Sequence, residues 1–254
     1  MGCCSSYILP QVDLPDLPSN IKHLTVNSSQ ALLEAVADVA TRSFAGTKTT
    51  APEGCLSWAF EVLDNPIGPL VEEPTEERLA YFKWLSTFMM ATSIRHGGCF
   101  ALMDGDGEDA KVIACALNYP PNNKHLHAPG ICEIMSLMGK AEGPMPKCME
   151  GKRMKALEKV MAASHKAHAK DPHWYVQMFA VAPEAQGKGH GGKLLQFINS
   201  LGDKSGVPIY LETINSEAFY QKGGFETQEK YPITGGSDTL DAKGGLAAMV
   251  RKIK

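Results

Sequence analysis

The chain has 254 residues, with 25 Lys and Arg against 28 Asp and Glu for a net charge of −3, and 44% of it is hydrophobic. That length suits one large domain or two small ones, and the composition excludes wholesale disorder, collagen and coiled coil. The slight acidity gives no general attraction for a phosphate backbone, so nucleic acid is not an expected partner.

Residues 1–20 carry no Lys or Arg and include Pro10, Pro15 and Pro18, which reads as a tail outside a domain spanning 21–254. Met1-Gly2-Cys3-Cys4-Ser5-Ser6 fits the M-G-x-x-x-[ST] pattern, so Gly2 is a candidate for myristate and Cys3 and Cys4 for palmitate, which would anchor the tail to a membrane surface. A single myristoyl chain binds only marginally, and no basic residue precedes Lys22, so the adjacent cysteines would have to supply the second anchor. An unmodified tail with two incidental thiols is the alternative.

A short strand is expected around residues 21–26. Asn27, Ser28 or Ser29 then caps a helix whose apolar positions Leu32, Val36, Val39 and Ala40 keep a 3.6-residue period. Thr75, followed by Glu76 and Glu77, opens a second helix that Gly97 and Gly98 stop. Two apolar runs, 99–103 and 112–117, flank an acidic turn and predict a hairpin. An EF-hand register starting at Asp104 puts Asp109 at the turn glycine and Cys115 at the bidentate Glu, which argues against calcium. His125 and His127 lack a third metal ligand. A lysine-rich helix is expected over 147–170, as a solvated face. The single cysteines Cys55, Cys99, Cys115, Cys132 and Cys148 show no zinc spacing and read as core fillers of a reduced, cytoplasmic protein. No apolar run reaches about 18 residues, and there is no secretory signal pattern.

The chemistry-bearing segment runs from Trp174 through Lys193 as strand, loop, glycine-rich turn and helix. Glycines there let backbone N–H groups approach a ligand, and the new helix adds the positive end of its dipole, so a phosphate or pyrophosphate seat is expected. Gly187-x-Gly189-x-x-Gly192 also satisfies the dinucleotide fingerprint, which keeps a nucleotide-dependent oxidoreductase as an alternative. Against it, residues 182–186 separate strand from first glycine, and too little chain follows Gly192 to finish a doubly wound sheet. A P-loop is excluded because Leu194 stands where the metal-binding Ser or Thr belongs.

The third pattern, Gln186-x-x-Gly189-x-Gly191, resembles the Q/R-x-x-G-x-G/A loop of the GCN5-related N-acetyltransferases (GNAT family). Around it, Ala180-Val181-x-Pro183-Glu184, the helix from Gly191, the strand from Pro208 to Glu212 and Asn215-x-x-x-Phe219-Tyr220-x-x-x-Gly224-Phe225 fall in that family's order over residues 174–231. Within the family, Leu211-Glu212-Thr213 and the basic helix leading into Trp174 look most like small-molecule enzymes of the puromycin acetyltransferase type.

The resemblance implies a single α/β domain with a mixed, splayed sheet, and acetyl-CoA lying between the strands at 174–181 and 208–212. It implies that Val181 hydrogen-bonds the cofactor arm, that Gln186, Gly187, Lys188, Gly189, His190 and Gly191 wrap its pyrophosphate, and that Asn215 contacts the arm. Tyr220 would be the general acid, able to protonate a departing thiolate. Many members carry a Glu on the fourth strand as base. Here that stretch has Gln177, so Glu212 is the replacement, with a structural role for it equally open. The acceptor is expected to be a small-molecule primary amine, with its pocket built around 44–58 and 234–243. A tethered module that binds CoA without catalysis is the remaining alternative.

Overall fold

A computed structural model describes residues 13–60, 67–105, 110–121, 138–143, 145–147 and 151–253. The proposed acyl sites Gly2, Cys3 and Cys4, the paired His125 and His127, and Cys132 and Cys148 lie outside the described residues.

Side-chain oxygens set the first helices. Ser29 Oγ accepts from the Leu32 N–H at 3.3 Å and starts α1 (Gln30–Ala45). The Glu53 carboxylate accepts from the Leu56 N–H at 2.6 Å and starts α2 (Gly54–Ala59), a short helix that no sequence period announces. Thr75 Oγ1 accepts from the Arg78 N–H at 3.2 Å and starts α3 (Glu76–Arg95). Each satisfies a backbone donor that the helix itself leaves unpaired. The later helices are α4 (Lys152–His168), α5 (His190–Ser205) and α6 (Glu217–Lys222).

Among the described residues seven strands form one sheet: β1 (Ile21–His23), β2 (Cys99–Asp104), β3 (Lys111–Tyr119), β4 (Trp174–Val181), β5 (Ile209–Thr213), β6 (Glu226–Tyr231) and β9 (Leu246–Arg251). Their order is β1-β2-β3-β4-β5-β9-β6, and a separate hairpin holds β7 (Ile233–Gly235) and β8 (Asp238–Leu240). The acidic hairpin is present as the antiparallel β2–β3 pair. Among the described strands only β4 and β5 run parallel, so the doubly wound alternative does not hold.

Helices cover both faces. Cys115 Sγ on β3 approaches the Val36 carbonyl of α1, and Ser164 of α4 lies 2.6 Å from the Tyr210 hydroxyl of β5 on the same side of the sheet. On the other side the Trp174 indole N–H donates to Ser205 of α5 at 3.0 Å, and Phe100 packs edge-on to Phe197. Arg251 of β9 ties down α5 through a two-pronged ion pair with Asp203, at 2.9 and 2.7 Å.

The positioning feature lies in β4. Its register with β3 runs from Leu117↔Met178 to Asn118↔Val176, so Gln177 is an inserted bulge residue. A bulge bends its strand and increases the local twist. Accordingly β4 pairs with β5 only at Trp174↔Ile209 and Tyr175↔Tyr210, and beyond the bulge the two strands part.

Candidate active site

The parted strands open into a cavity of about 1030 Å³. Val181, Gln186, Gly187, Gly189 and Gly191 line one side, and Glu212, Asn215 and Tyr220 also reach it. Eight of the ten residues singled out in the sequence therefore meet in one space; Lys188 and His190 sit on the same turn without lining it.

The turn is built from its glycines. Gly189 adopts φ +83° at the start of α5, a left-handed conformation that residues with a Cβ rarely take, and a Cβ added there would meet nothing within 4 Å. The backbone thus faces open space at the positive end of a helix, as an anion seat requires. Gly191 is different: a methyl group at its position would stand 3.2 Å from the Val181 side chain and 3.4 Å from Phe219, so glycine lets the helix start press this closely against the end of β4 without those side chains giving way. Gln186 spends its side-chain amide on the Val181 carbonyl, at 3.1 Å, and so fixes the turn to the strand.

Asn215 donates to the Pro52 carbonyl at 2.7 Å, which ties the loop before α2 to the turn after β5. Its Oδ1 is buried with no hydrogen-bond partner. Tyr220 is buried among Phe179, Phe219 and Phe225. Burial, reinforced by the Glu53 charge, raises its pKa, so the phenol keeps its proton.

Glu212 sits at the end of β5. Its Oε1 accepts a hydrogen bond from the Tyr210 hydroxyl at 2.8 Å, while Oε2 is buried with no hydrogen-bond partner. Burial pushes its pKa up to about 7, and the phenols of Tyr210 and Tyr175 pull the other way. A carboxyl poised there exchanges protons near neutrality. Gln177 on the bulge lines the same cavity and has no proton to exchange.

The expected acceptor loops divide. Phe44, Ala51, Pro52, Glu53, Cys55 and Leu56 line the cavity, whereas 234–243 forms the β7–β8 hairpin and the turn after it, and none of those residues lines it. Gly235 instead packs on Arg153 of α4 and Trp58 of α2. Sequence reasoning missed Glu53 and Glu158, which share the cavity wall. The signal for Glu158 was present: Met154, Leu157, Met161 and His165 recur at helical spacing on a helix read as solvated. Among the described residues no group of three or more His, Cys, Asp and Glu is placed to hold a metal ion, and no helix is long and apolar enough to cross a membrane.

Comparison with known proteins finds likenesses over part of the chain and in its fold. Residues 155–227 match a family model described as the acetyltransferase (GNAT) domain. An uncharacterized N-acetyltransferase of Schizosaccharomyces pombe is 35% identical over 66 residues, which are 25% of this chain and 27% of that one. The matched region thus spans about a quarter of that curated relative's length. A histone acetyltransferase HPA2 and related acetyltransferase from Corynebacterium glutamicum superposes with a TM-score of 0.54 at 19% identity, over 92% of this chain and 96% of that one. Arylalkylamine N-acetyltransferase 2 from Aedes aegypti gives 0.50 at 16%, over 92% and 100%. A Drosophila melanogaster polyamine N-acetyltransferase that forms N-acetylagmatine gives 0.50 at 13%, over 92% and 99%. At these identities the likeness to solved structures is one of fold.

Proposed function

We propose that the chain, whose residues 155–227 match the GNAT acetyltransferase domain model, transfers an acetyl group from acetyl-CoA to the primary amine of a small molecule. The observation that carries this reading is the cavity itself, in which a glycine turn at a helix start and a carboxyl with a pKa of about 7 face one space between parted strands. The solved enzymes named above as arylalkylamine and polyamine acetyltransferases support an amine as the acceptor.

The residues fit the cofactor. The open space over Gly187 and Gly189 suits a pyrophosphate held by backbone N–H groups, and the unpartnered Asn215 Oδ1 offers an acceptor to an amide along the arm. When bound, acetyl-CoA supplies an acetyl group activated on a thioester sulfur. Glu212 accepts a proton from the acceptor ammonium and frees the nitrogen lone pair for attack on the acetyl carbonyl. A carbon–nitrogen bond forms and the carbon–sulfur bond breaks, with Tyr220 giving its proton to the departing sulfur. The proton shed by the nitrogen as the amide forms restores the phenol, and the one on Glu212 leaves to solvent. Burial raises the Tyr220 pKa and so keeps the proton on the phenol until the basic thiolate departs beside it.

The test is acetyl-CoA titration by calorimetry, with NAD as the contrast, followed by thiol release over a panel of primary amines. Binding of acetyl-CoA with amine-dependent thiol release is the expected result. Binding of NAD alone, or of acetyl-CoA without turnover of any amine, would overturn the reading.

For the tail, the proposal is acylation at Gly2 with Cys3 or Cys4 and a protein otherwise at home in the cytoplasm. Gly2→Ala, or hydroxylamine on the wild type, is expected to release it from membranes. A wild-type N-terminus shown unmodified by mass spectrometry would dispose of the anchor.

A further inference from the structure

Ser164 departs from the habit of the other helix hydroxyls. A hydroxyl inside a helix commonly donates back to a carbonyl three or four residues earlier, as Thr92 does to Phe88, Ser200 to Phe197 and Ser205 to Leu201. Among the described residues the Ser164 side chain makes no bond of that kind. Its Oγ instead turns from α4 to the sheet and lies 2.6 Å from the Tyr210 hydroxyl of β5. That hydroxyl in turn donates to Glu212 Oε1 at 2.8 Å.

The direction of the chain follows from counting protons. Tyr210 has one O–H, and while Glu212 is ionised that proton goes to the carboxylate, so Ser164 is the donor to the Tyr210 oxygen. Two hydroxyls thus stand in line behind one carboxylate oxygen, each polarising the next. Ser164 is fully buried and Tyr210 only 1% exposed, so water does not compete for either bond. The rings of His165 on α4, Tyr175 on β4 and His173 hold the phenol in place, at 4.8, 5.8 and 5.9 Å between centroids. Around the carboxyl itself, the Tyr175 phenol also favours the ionised form, and the Cys55 thiol of α2 feels its charge. Glu53, Glu158, His165 and Lys222 border the same cavity. With Oε1 taken, Oε2 is the oxygen left without a partner.

We infer that Tyr210 is a positioning residue for the reaction proposed above: braced by Ser164, its hydroxyl pins Glu212 Oε1, steadies the ionised carboxylate and leaves Oε2 to take the proton of the acceptor. This rests on the acetyltransferase reading, yet the chain of bonds is testable without turnover. Donation to the ionised carboxylate lowers the pH at which it gives up its proton. Among the described hydrogen bonds Ser164 reaches Glu212 only through Tyr210, so its hydroxyl acts on the carboxyl along the chain.

The experiment follows Glu212 by infrared titration, in the carboxyl C=O band that Glu212→Gln removes, beside the pH profile of kcat/KM for thiol release. Tyr210→Phe is expected to raise the infrared midpoint by about one to two pH units, the size of one hydrogen bond to a charged group. Ser164→Ala is expected to raise it by roughly 0.3 unit, the share of a second hydroxyl in line. Ser164→Thr, which keeps the hydroxyl, is expected to titrate as the wild type does. The rise of kcat/KM with pH is expected to move by the same interval in each variant. An unchanged or lowered midpoint in folded Tyr210→Phe overturns the inference, as does one in folded Ser164→Ala. If Tyr210→Phe does not fold, Ser164→Ala decides alone. A raised midpoint without acetylation of any amine supports the chain of bonds and strikes the acetyltransferase reading instead.

Discussion

In the proposed mechanism Glu212 couples chemistry to stability through one proton. Its carboxyl has a pKa near 4.5 unfolded and about 7 folded, so the contribution to stability is full below pH 4.5 and lost as pH rises through 7. The proposed catalysis needs the opposite state, because only the ionised carboxylate accepts a proton. Glu212→Gln, which keeps an oxygen for the Tyr210 hydroxyl, is therefore expected to gain stability over wild type between pH 5 and pH 8, by on the order of 3 kcal/mol. The same variant should lose the rise of kcat/KM with pH centred near 7. Thermal melts and rate profiles across that range check both; a variant equally less stable at both pH values would make Glu212 a structural residue. For Tyr220, Tyr220→Phe is expected to lower kcat by about 10²–10⁴ with little change in acetyl-CoA affinity, since only the transition state loses its donor. Stopped-flow measurement of the chemical step decides it, and a variant retaining most of its rate would remove Tyr220 from the mechanism.

The glycine turn works as an element, and its parts are not interchangeable. At Gly189 a side chain meets no neighbour but would have to sit at φ +83° in the space where the backbone amides face a ligand. Gly189→Val is thus expected to fold with a strained helix start, costing roughly 1–2 kcal/mol, and to weaken acetyl-CoA binding severely. Calorimetry on the folded variant is the check, and unchanged affinity would take the turn out of the cofactor seat.

Legibility follows locality. The caps at Ser29 and Thr75, the β2–β3 hairpin and the strand-turn-helix through Gly191 rest on neighbouring residues, and the chain spells them out. Glu53 is illegible as a site residue because α2 is too short for a period, whereas Glu158 stands beside a legible apolar spacing that the lysines of α4 outweigh. The β7–β8 hairpin passes for an acceptor loop because its fate depends on distant Arg153 and Trp58. Gln177 shows the limit most sharply: the sequence marks it as a missing base, yet its role as a bulge exists only in register with Leu117 and Asn118 of another strand.

At the scale of the whole molecule, β1 to β4 form one antiparallel run and β5, β9 and β6 another, joined across the sheet by the two residue pairs at the start of β4 and β5. The helices complete the join, as α1 and α3 pack together beside the first run and α4 reaches β6 and β9 of the second. The bulge at Gln177 therefore leaves the middle of the sheet like a book open from its spine. Backbone amides of Gln177–Val181 and Leu211–Thr213 border the opening, whose two leaves pair only at the Tyr175–Tyr210 end. A molecule wedged between the leaves would restrain both at once, so hydrogen exchange at those two segments should slow together when acetyl-CoA is added, and the melting temperature should climb with its concentration. Protection confined to the glycine turn would mean that the leaves move independently. Joint protection would mean that the fold reaches its full cooperativity only with its cofactor in place, and that cells short of acetyl-CoA hold a softer, more readily degraded form of the protein.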